Sequence, residues 1–232
     1  MLRIERVSVS YGRVRALDEV DLVIDGGGVL HGIIGPNGAG KSTLMDAVSG
    51  RILPTAGRVR YRGEDITRRS VAWRRHRGIS RSFQRTSIFP NLTVFEQLRL
   101  VARHLRDDRL ADVIAVMDLA DYLHEKAGQI AYGVQRRVDV ALALIGRPQL
   151  LLMDEPGAGL SARETLGLFQ HLRALVRERG ITAVVVEHDV DAVFACCDTV
   201  TVLDLGKLLV TGSPAEVRGD ARVVEAYLGS AA

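Results

Sequence analysis

The sequence predicts an α/β fold: a mainly parallel sheet, an antiparallel β layer ahead of it and an inserted helical subdomain. Short apolar runs alternate with segments of helical periodicity, the pattern of a parallel sheet joined by right-handed crossovers. Two early runs of alternating polarity, tightly connected, place the antiparallel layer before that sheet. Residues 88–145 carry helical patterning and no convincing strand.

Residues 2–10 alternate through Leu2, Ile4, Val7 and Val9 as a half-exposed strand, and Tyr11-Gly12 turns the chain. Val20 to Ile24 is the second strand, closed by Gly26-Gly27-Gly28. Tyr11 either presents a ring on which an adenine stacks or is an ordinary surface tyrosine. His31 to Ile34 is a short buried strand and Ser42 to Val48 a helix. Gly57 to Arg62 is a strand ending at Gly63-Glu64-Asp65, and Ile79 to Phe83 a core strand with Gln84 at its C-terminal end, the edge where ligands sit in open α/β sheets. Thr93-x-x-Glu96 is a capping box ahead of a helix, and Leu110, Val113, Ile114 and Met117 form a second apolar stripe. Ile130-Ala131-Tyr132-Gly133 interrupts the helical region, which resumes over Val134 to Ile145.

Leu150-Leu151-Leu152-Met153 is a fully apolar strand. Ser161-x-x-Glu164 caps a helix that buries Leu166, Phe169, Leu172 and Val176 and stops at Gly180. Ile181 to Val186 is a β-branched strand, Thr199–Leu203 and Leu208–Thr211 pair as a hairpin, and a short helix lies near Val217 to Tyr227.

Three polar clusters emerge where such strands end. Gly35-Pro36-Asn37-Gly38-Ala39-Gly40-Lys41-Ser42-Thr43 fits the Gly-x4-Gly-Lys-[Ser/Thr] phosphate cradle. Its glycines let backbone N–H groups turn inward on an anion, Lys41 adds positive charge, Ser42 offers a hydroxyl to Mg²⁺, and the following helix directs its N-terminus at the site. Asp154-Glu155 follows the apolar strand, the first acid suited to hold Mg²⁺ and the second to polarise a water. Glu187-His188-Asp189 ends the β-branched strand, from which His188 could reach a γ-phosphate. Residues 1–87 and 146–232 therefore read as a nucleotide-binding core with its antiparallel layer, and 88–145 as the helical subdomain.

The chain has 232 residues, 47% of them hydrophobic, and a net charge of +3, an ordinary globular composition that permits contact with nucleic acid or an anionic membrane without requiring it. No apolar run approaches the length of a membrane span, and the start lacks a signal-type segment, so a cytoplasmic protein is expected. The adjacent Cys196 and Cys197 suit partly buried thiols rather than a disulfide or a metal site. Seven arginines between Arg68 and Arg85 read as a solvated face in preference to a binding patch.

Taken in order, these motifs resemble the ATP-binding subunit of an ABC transporter across nearly the whole chain. The resemblance implies a P-loop NTPase (RecA-like) fold and a transport-coupled ATPase. It makes Tyr11 the adenine-stacking aromatic and Gly35 to Ser42 the Walker A loop, with Asn37, Gly38, Ala39, Gly40, Lys41 and Thr43 also at the nucleotide. Leu150 to Asp154 becomes Walker B, Glu155 the catalytic glutamate and His188 the switch histidine. Ser42, Gln84 of the Q-loop and Asp154 would manage Mg²⁺. Two subunits would dimerise head to tail, each ATP also meeting the partner's signature, here Ala131, Tyr132, Gly133 and Gln135. Transmembrane permeases, and indirectly a substrate-binding protein, are the implied partners, with the chain peripheral on the inner face of the membrane.

Two positions depart from the family pattern. Ala131 replaces the usual signature serine, and Ser161 a frequent aspartate. Ala-Tyr-Gly-x-Gln-Arg-Arg, with Arg81-Ser82-Phe83-Gln84-Arg85 and the ending Ala226-Tyr227-Leu228-Gly229, resembles the ATPases of branched-chain (hydrophobic) amino-acid uptake systems. Urea and amide importers have similar cassettes. A soluble ABC ATPase acting on nucleic acid is disfavoured by the single cassette without a basic tail, and a GTPase by the missing Asn-Lys-x-Asp motif.

Overall fold

The computed structural model describes residues 1–82 and 87–228. In chain order its elements are β1 (Leu2–Tyr11), β2 (Val14–Ile24), β3 (Leu30–Ile34), α1 (Lys41–Ser49), β4 (Ala56–Tyr61), β5 (Glu64–Asp65), α2 (Val71–His76), β6 (Ile79–Ser82), α3 (Val94–Leu105), α4 (Leu110–Val116) and α5 (Tyr132–Leu144). There follow β7 (Leu150–Asp154), α6 (Ala162–Arg179), β8 (Thr182–Val186), α7 (Val190–Cys196), β9 (Thr199–Asp204), β10 (Lys207–Gly212), α8 (Pro214–Gly219) and α9 (Ala221–Leu228).

The uninterrupted apolar runs are explained by burial on both faces. The six-stranded sheet has the order β10-β9-β3-β8-β7-β6, parallel except for the β9–β10 hairpin at its edge. Leu151 and Met153 of β7 enter one hydrophobic cluster with Val185, Phe169, Leu98 and Val138, whereas Leu150 and Leu152 enter a second with Val184, Leu44, Val7 and Leu22. The second cluster is roofed by a four-stranded antiparallel sheet of order β2-β1-β4-β5.

Parallel register sets the ligand edge. Ile33 pairs with Val186, Asp154 with Val186, and Ser82 with Met153. The segments that follow β3, β7 and β8 therefore leave the sheet side by side, carrying Gly35, Glu155 and Glu187-His188.

Four sequence expectations are corrected. β2 starts at Val14, six residues before Val20, because register shifts along β1 at Ile4/Val7 and Val7/Val9 break the two-residue alternation of the pair. Glu64–Asp65, expected where the strand over Gly57 to Arg62 ends, pairs with Tyr61 and Arg60 as a short strand of its own. The helix near Val217 to Tyr227 is two helices parted at Asp220, the first opened by an unanticipated capping box between Ser213 and Glu216. α5 begins at Tyr132, so the expected interruption over Ile130–Gly133 narrows to its first two residues.

The arginine run, expected to be a solvated face, is in part a buried scaffold around the unanticipated helix α2. Arg74 is 1% exposed and donates to the carbonyls of Ala47, Val48, Ile66, Thr67 and Arg69. Burial lowers its pKa to about 10. Arg75 donates to the carbonyls of Ala143 and Ile145, tying α2 to the end of α5. Arg69 and Arg77 flank the Trp73 ring at 4.9 and 5.0 Å, and with Arg68 they form the exposed remainder. A guanidinium is weakly hydrated and multiply donating, which suits it to collect carbonyls at a helix C-terminus.

His31 sits in the middle of the parallel sheet, 2% exposed, with Nδ1 2.6 Å from Thr199 Oγ1 and Nε2 2.8 Å from Thr201 Oγ1. Desolvation pushes its pKa down to about 4. The folded value lies below the unfolded one, so the unfolded chain binds the extra proton and stability is lost as pH falls through 6.5 toward 4. The loss expected near pH 4 is on the order of 3 kcal/mol. Melting temperatures taken across that window should fall in the wild type and fall less in His31→Gln; an equal slope in both would refute this assignment.

Candidate active site

The glycine loop is held from below by the sheet and its hairpin. Gly40 caps α1 at φ 97°, and a Cβ there would stand 2.5 Å from the Ala16 carbonyl oxygen, so the position needs glycine on both counts. Gly206 N–H donates to the Ala39 carbonyl, fixing the loop to the β9–β10 turn. Asn37 and Gly38 lie exposed at the loop tip and Ser42 is exposed on the first turn of α1, with Thr43 half-buried behind it. Lys41 Nζ folds back to the carbonyls of Gly35 (2.7 Å) and Pro36 (2.9 Å). Burial lowers the pKa of this ammonium, while the nearby Glu155 and Asp154 partly offset the loss. Tyr11 ends β1 with its side chain half-exposed.

Asp154 and Glu155 leave β7 in opposite situations. Asp154 is buried; its Oδ2 accepts from Arg81 at 3.2 Å, and its Oδ1 is buried with no hydrogen-bond partner. Burial pushes the pKa of this carboxyl up, Arg81 pulls it down, and Glu155 and Asp46 add to the rise. An orphaned carboxylate oxygen suits Mg²⁺, which takes one or two carboxylates and fills its shell with water and phosphate. Gln84, the third expected contact, lies outside the described residues.

Glu155 departs at φ 48°, in the left-handed region, which is costly for a side-chain-bearing residue and recurs at functional sites. Its amide donates to the Val186 carbonyl at 2.8 Å, and its Oε1 lies 2.8 Å from His188 Nε2. The His188 ring is itself half-exposed. The imidazole thus faces solvent over a mostly buried carboxylate, close enough to Lys41 of the glycine loop for the two charges to interact. A carboxylate oriented by an imidazole there can orient and deprotonate a water.

Sequence reasoning passed over three residues that brace this edge. Glu187, 3% exposed, accepts the Gly157 amide at 2.7 Å through Oε1 and the His188 amide at 3.1 Å through Oε2. Burial raises its carboxyl pKa against the pull of those two bonds. Arg136 of α5, 2% exposed, donates to the Glu155 carbonyl and lies 5.4 Å from the Tyr132 ring centroid. Arg81 pairs with Asp46 as well as Asp154. The signal for Arg81 was its spacing of two from Ile79, which puts it on the core side of β6; for Glu187 it was the same spacing from Val185.

The candidate signature residues open α5, the helix whose Arg136 meets the Glu155 carbonyl. Ala131 is the N-cap with no side-chain bond, and the Ala131 carbonyl accepts from Val134 and Gln135. Gln135 donates to the Ile130 carbonyl at 3.0 Å, and Gly133 faces Leu160. Tyr132 is half-exposed and packs on Gly159, leaving no room for a Cβ there. Ser161 caps α6 through Glu164, as its sequence position implies. Cys196 and Cys197 are buried, unbridged thiols whose burial raises both pKa values.

Residues 17–158 match the family model described as ABC transporter, and residues 207–232 the one described as branched-chain amino acid ATP-binding cassette transporter. The chain is 32% identical over 253 aligned positions to the high-affinity branched-chain amino acid transport ATP-binding protein BraF of Pseudomonas aeruginosa, covering all of this chain and 98% of that one. It is also 36% identical to a sulfate/thiosulfate import ATP-binding protein, CysA 2 of Chromobacterium violaceum, over 95% of this chain and 61% of the relative. Among solved structures, the ADP conformation of an ATP-binding cassette from an ABC transporter superposes with a TM-score of 0.90 at 30% identity, covering 99% of this chain and 98% of the other.

Proposed function

Because the chain belongs to the ATP-binding family of ABC transporters, and is therefore a nucleotide-binding ATPase, we propose that it powers the uptake of branched-chain or other hydrophobic amino acids. Importer ATPases of this family work as dimers with transmembrane permeases. The substrate class rests on full-length similarity to BraF, on the match of residues 207–232, and on the Ala-Tyr-Gly signature. Similarity to a sulfate/thiosulfate importer keeps the family broad, so cargo is what the test must decide. Among the described residues no helix is long and apolar enough to cross a membrane, which fits a role docked on permeases at the inner face, with a substrate-binding protein outside.

The observation that carries the catalytic reading is the 2.8 Å contact of Glu155 with His188 on the edge shared with the glycine loop. Tyr11 stacks on adenine, residues 35–43 wrap the phosphates, and Lys41 exchanges its loop carbonyls for phosphate oxygens. Ser42, Gln84 and Asp154 hold Mg²⁺, which when bound neutralises charge on the phosphates. Glu155 orients and deprotonates the attacking water while His188 aligns that carboxylate and reaches the γ-phosphate. Ala131, Tyr132, Gly133 and Gln135 meet the partner's nucleotide, and with no serine hydroxyl at Ala131 the backbone N–H groups of Tyr132 and Gly133 at the start of α5 serve in its place. Residues 88–145 form the lobe that carries the motion to the permeases.

Isolated from its own membranes, the chain should come with permeases. The reconstituted complex should couple ATP hydrolysis to uptake of labelled leucine, isoleucine or valine. Uptake of sulfate or urea in their place would refute the substrate class. Recovery on nucleic acid alone, in a salt-sensitive manner, would refute transport.

A further inference from the structure

We propose that Arg81 is a positioning residue for Mg²⁺: its guanidinium braces the two elements that carry the cation's protein ligands and reserves one oxygen of Asp154 for the metal. The inference rests on the Mg²⁺ assignment made above and adds to it a residue that never touches the ion.

Arg81 lies on β6, and its side chain is only 8% exposed. NH1 donates to Asp46 Oδ1 at 2.6 Å and to Ser49 Oγ at 2.8 Å, both on α1. NH2 donates to Asp154 Oδ2 at 3.2 Å, at the end of β7. One rigid planar group therefore spans α1 and β7. Asp46 is four residues beyond Ser42, one helical turn down the same face, so the pull of Arg81 on Asp46 is a pull on the turn that presents the serine hydroxyl. In the sequence, Gln84, the remaining expected contact, stands three residues after Arg81.

The choice of oxygen follows from the same geometry. With Oδ2 taken by Arg81, Asp154 presents only Oδ1, which is buried and has no hydrogen-bond partner. A buried carboxylate oxygen without a donor is a costly arrangement unless something else satisfies it, and a divalent cation does so. Arg81 cannot itself swing to Oδ1 without releasing Asp46 and Ser49, because a guanidinium's donors are fixed in one plane. Partners of metal ligands commonly set metal affinity in this way, at about 10–100-fold per residue.

The test is a Mg²⁺ titration of ATP binding to the purified full chain, followed by calorimetry with EDTA-treated protein as the metal-free reference, and needs no turnover. Arg81→Met should raise the Mg²⁺ concentration for half-saturation by about tenfold or more and leave metal-free ATP affinity unchanged. Asp46→Asn guards against a misfolded Arg81 variant, because Asp46 is partly exposed and its neutralisation removes the charged contact at the α1 end of the brace, leaving Ser49 and Asp154 untouched. It should shift the same curve in the same direction by a smaller factor. A Mg²⁺ curve unchanged in Asp46→Asn, or a tighter one in Arg81→Met, would overturn the brace, the second by showing that the arginine competes with the metal. A wild-type chain whose ATP binding ignores Mg²⁺ altogether would instead refute the metal assignment on which the proposal stands.

Discussion

Glu155→Gln is expected to lower kcat of the assembled ATPase by about 10²–10⁴-fold while ATP still binds. The amide keeps the size of the carboxylate and can still meet His188, now 2.8 Å from Oε1, so the contact and the backbone at φ 48° persist. What disappears is the capacity to take a proton from water. Lys41 and the glycine loop are untouched, so nucleotide affinity should survive and separate this variant from one that fails to fold. Single-turnover hydrolysis beside equilibrium ATP binding checks it, and unchanged turnover would mean that another group activates the water.

Arg74→Met is expected to cost about 3 kcal/mol or more of folding stability, read from urea or thermal unfolding. Methionine can fill much of the space but cannot donate. Five carbonyls lose a donor; those of Ala47 and Ile66 keep the backbone amides of Gly50 and Arg69, whereas that of Val48 lies in the last turn of α1, beyond the intrahelical ladder. Unsatisfied buried acceptors cost more than the average bond contributes, which is why the expected loss exceeds that of an ordinary surface arginine. The residue touches no candidate catalytic group, so ATP turnover per folded molecule should be little changed. A loss below about 1 kcal/mol would mean that water reaches those carbonyls.

How far the sequence reveals this molecule depends on whether a residue's job is periodic. Leu150 to Met153 and the β-branched run before Glu187 are legible because strands buried on both faces need nothing but apolar side chains. The capping boxes at Thr93 and Ser161 are legible because the chemistry is local, three residues apart. The start of β2 was hidden where bulges interrupt alternation, and Arg6 and Glu19 take left-handed conformations that no residue type announces. α2 is six residues long, too short to show a period, and its anchor is an arginine whose partners lie 5 to 27 positions away. The glycine loop, Asp154, Glu155 and His188 could be placed from motif and strand order. Their braces, Arg81, Arg136 and Glu187, were harder to identify: spacing puts Arg81 and Glu187 on a core side, but the partners that give a buried charge its role are distant in sequence.

The bond between Glu187 and Gly157 bears on how this chain can change over generations. Position 187 needs two acceptor oxygens, one for each amide, and an amide side chain in its place would set an N–H against an N–H. Position 157 tolerates no Cβ, which would stand 2.3 Å from Glu187 Oε1 and 2.6 Å from Thr165 Cγ2. A mutation at either site alone removes the latch, and only a simultaneous change at both opens a different packing. The two positions, thirty residues apart in the chain, thus constrain each other, and a substitution at one is expected to need a compensating change at the other.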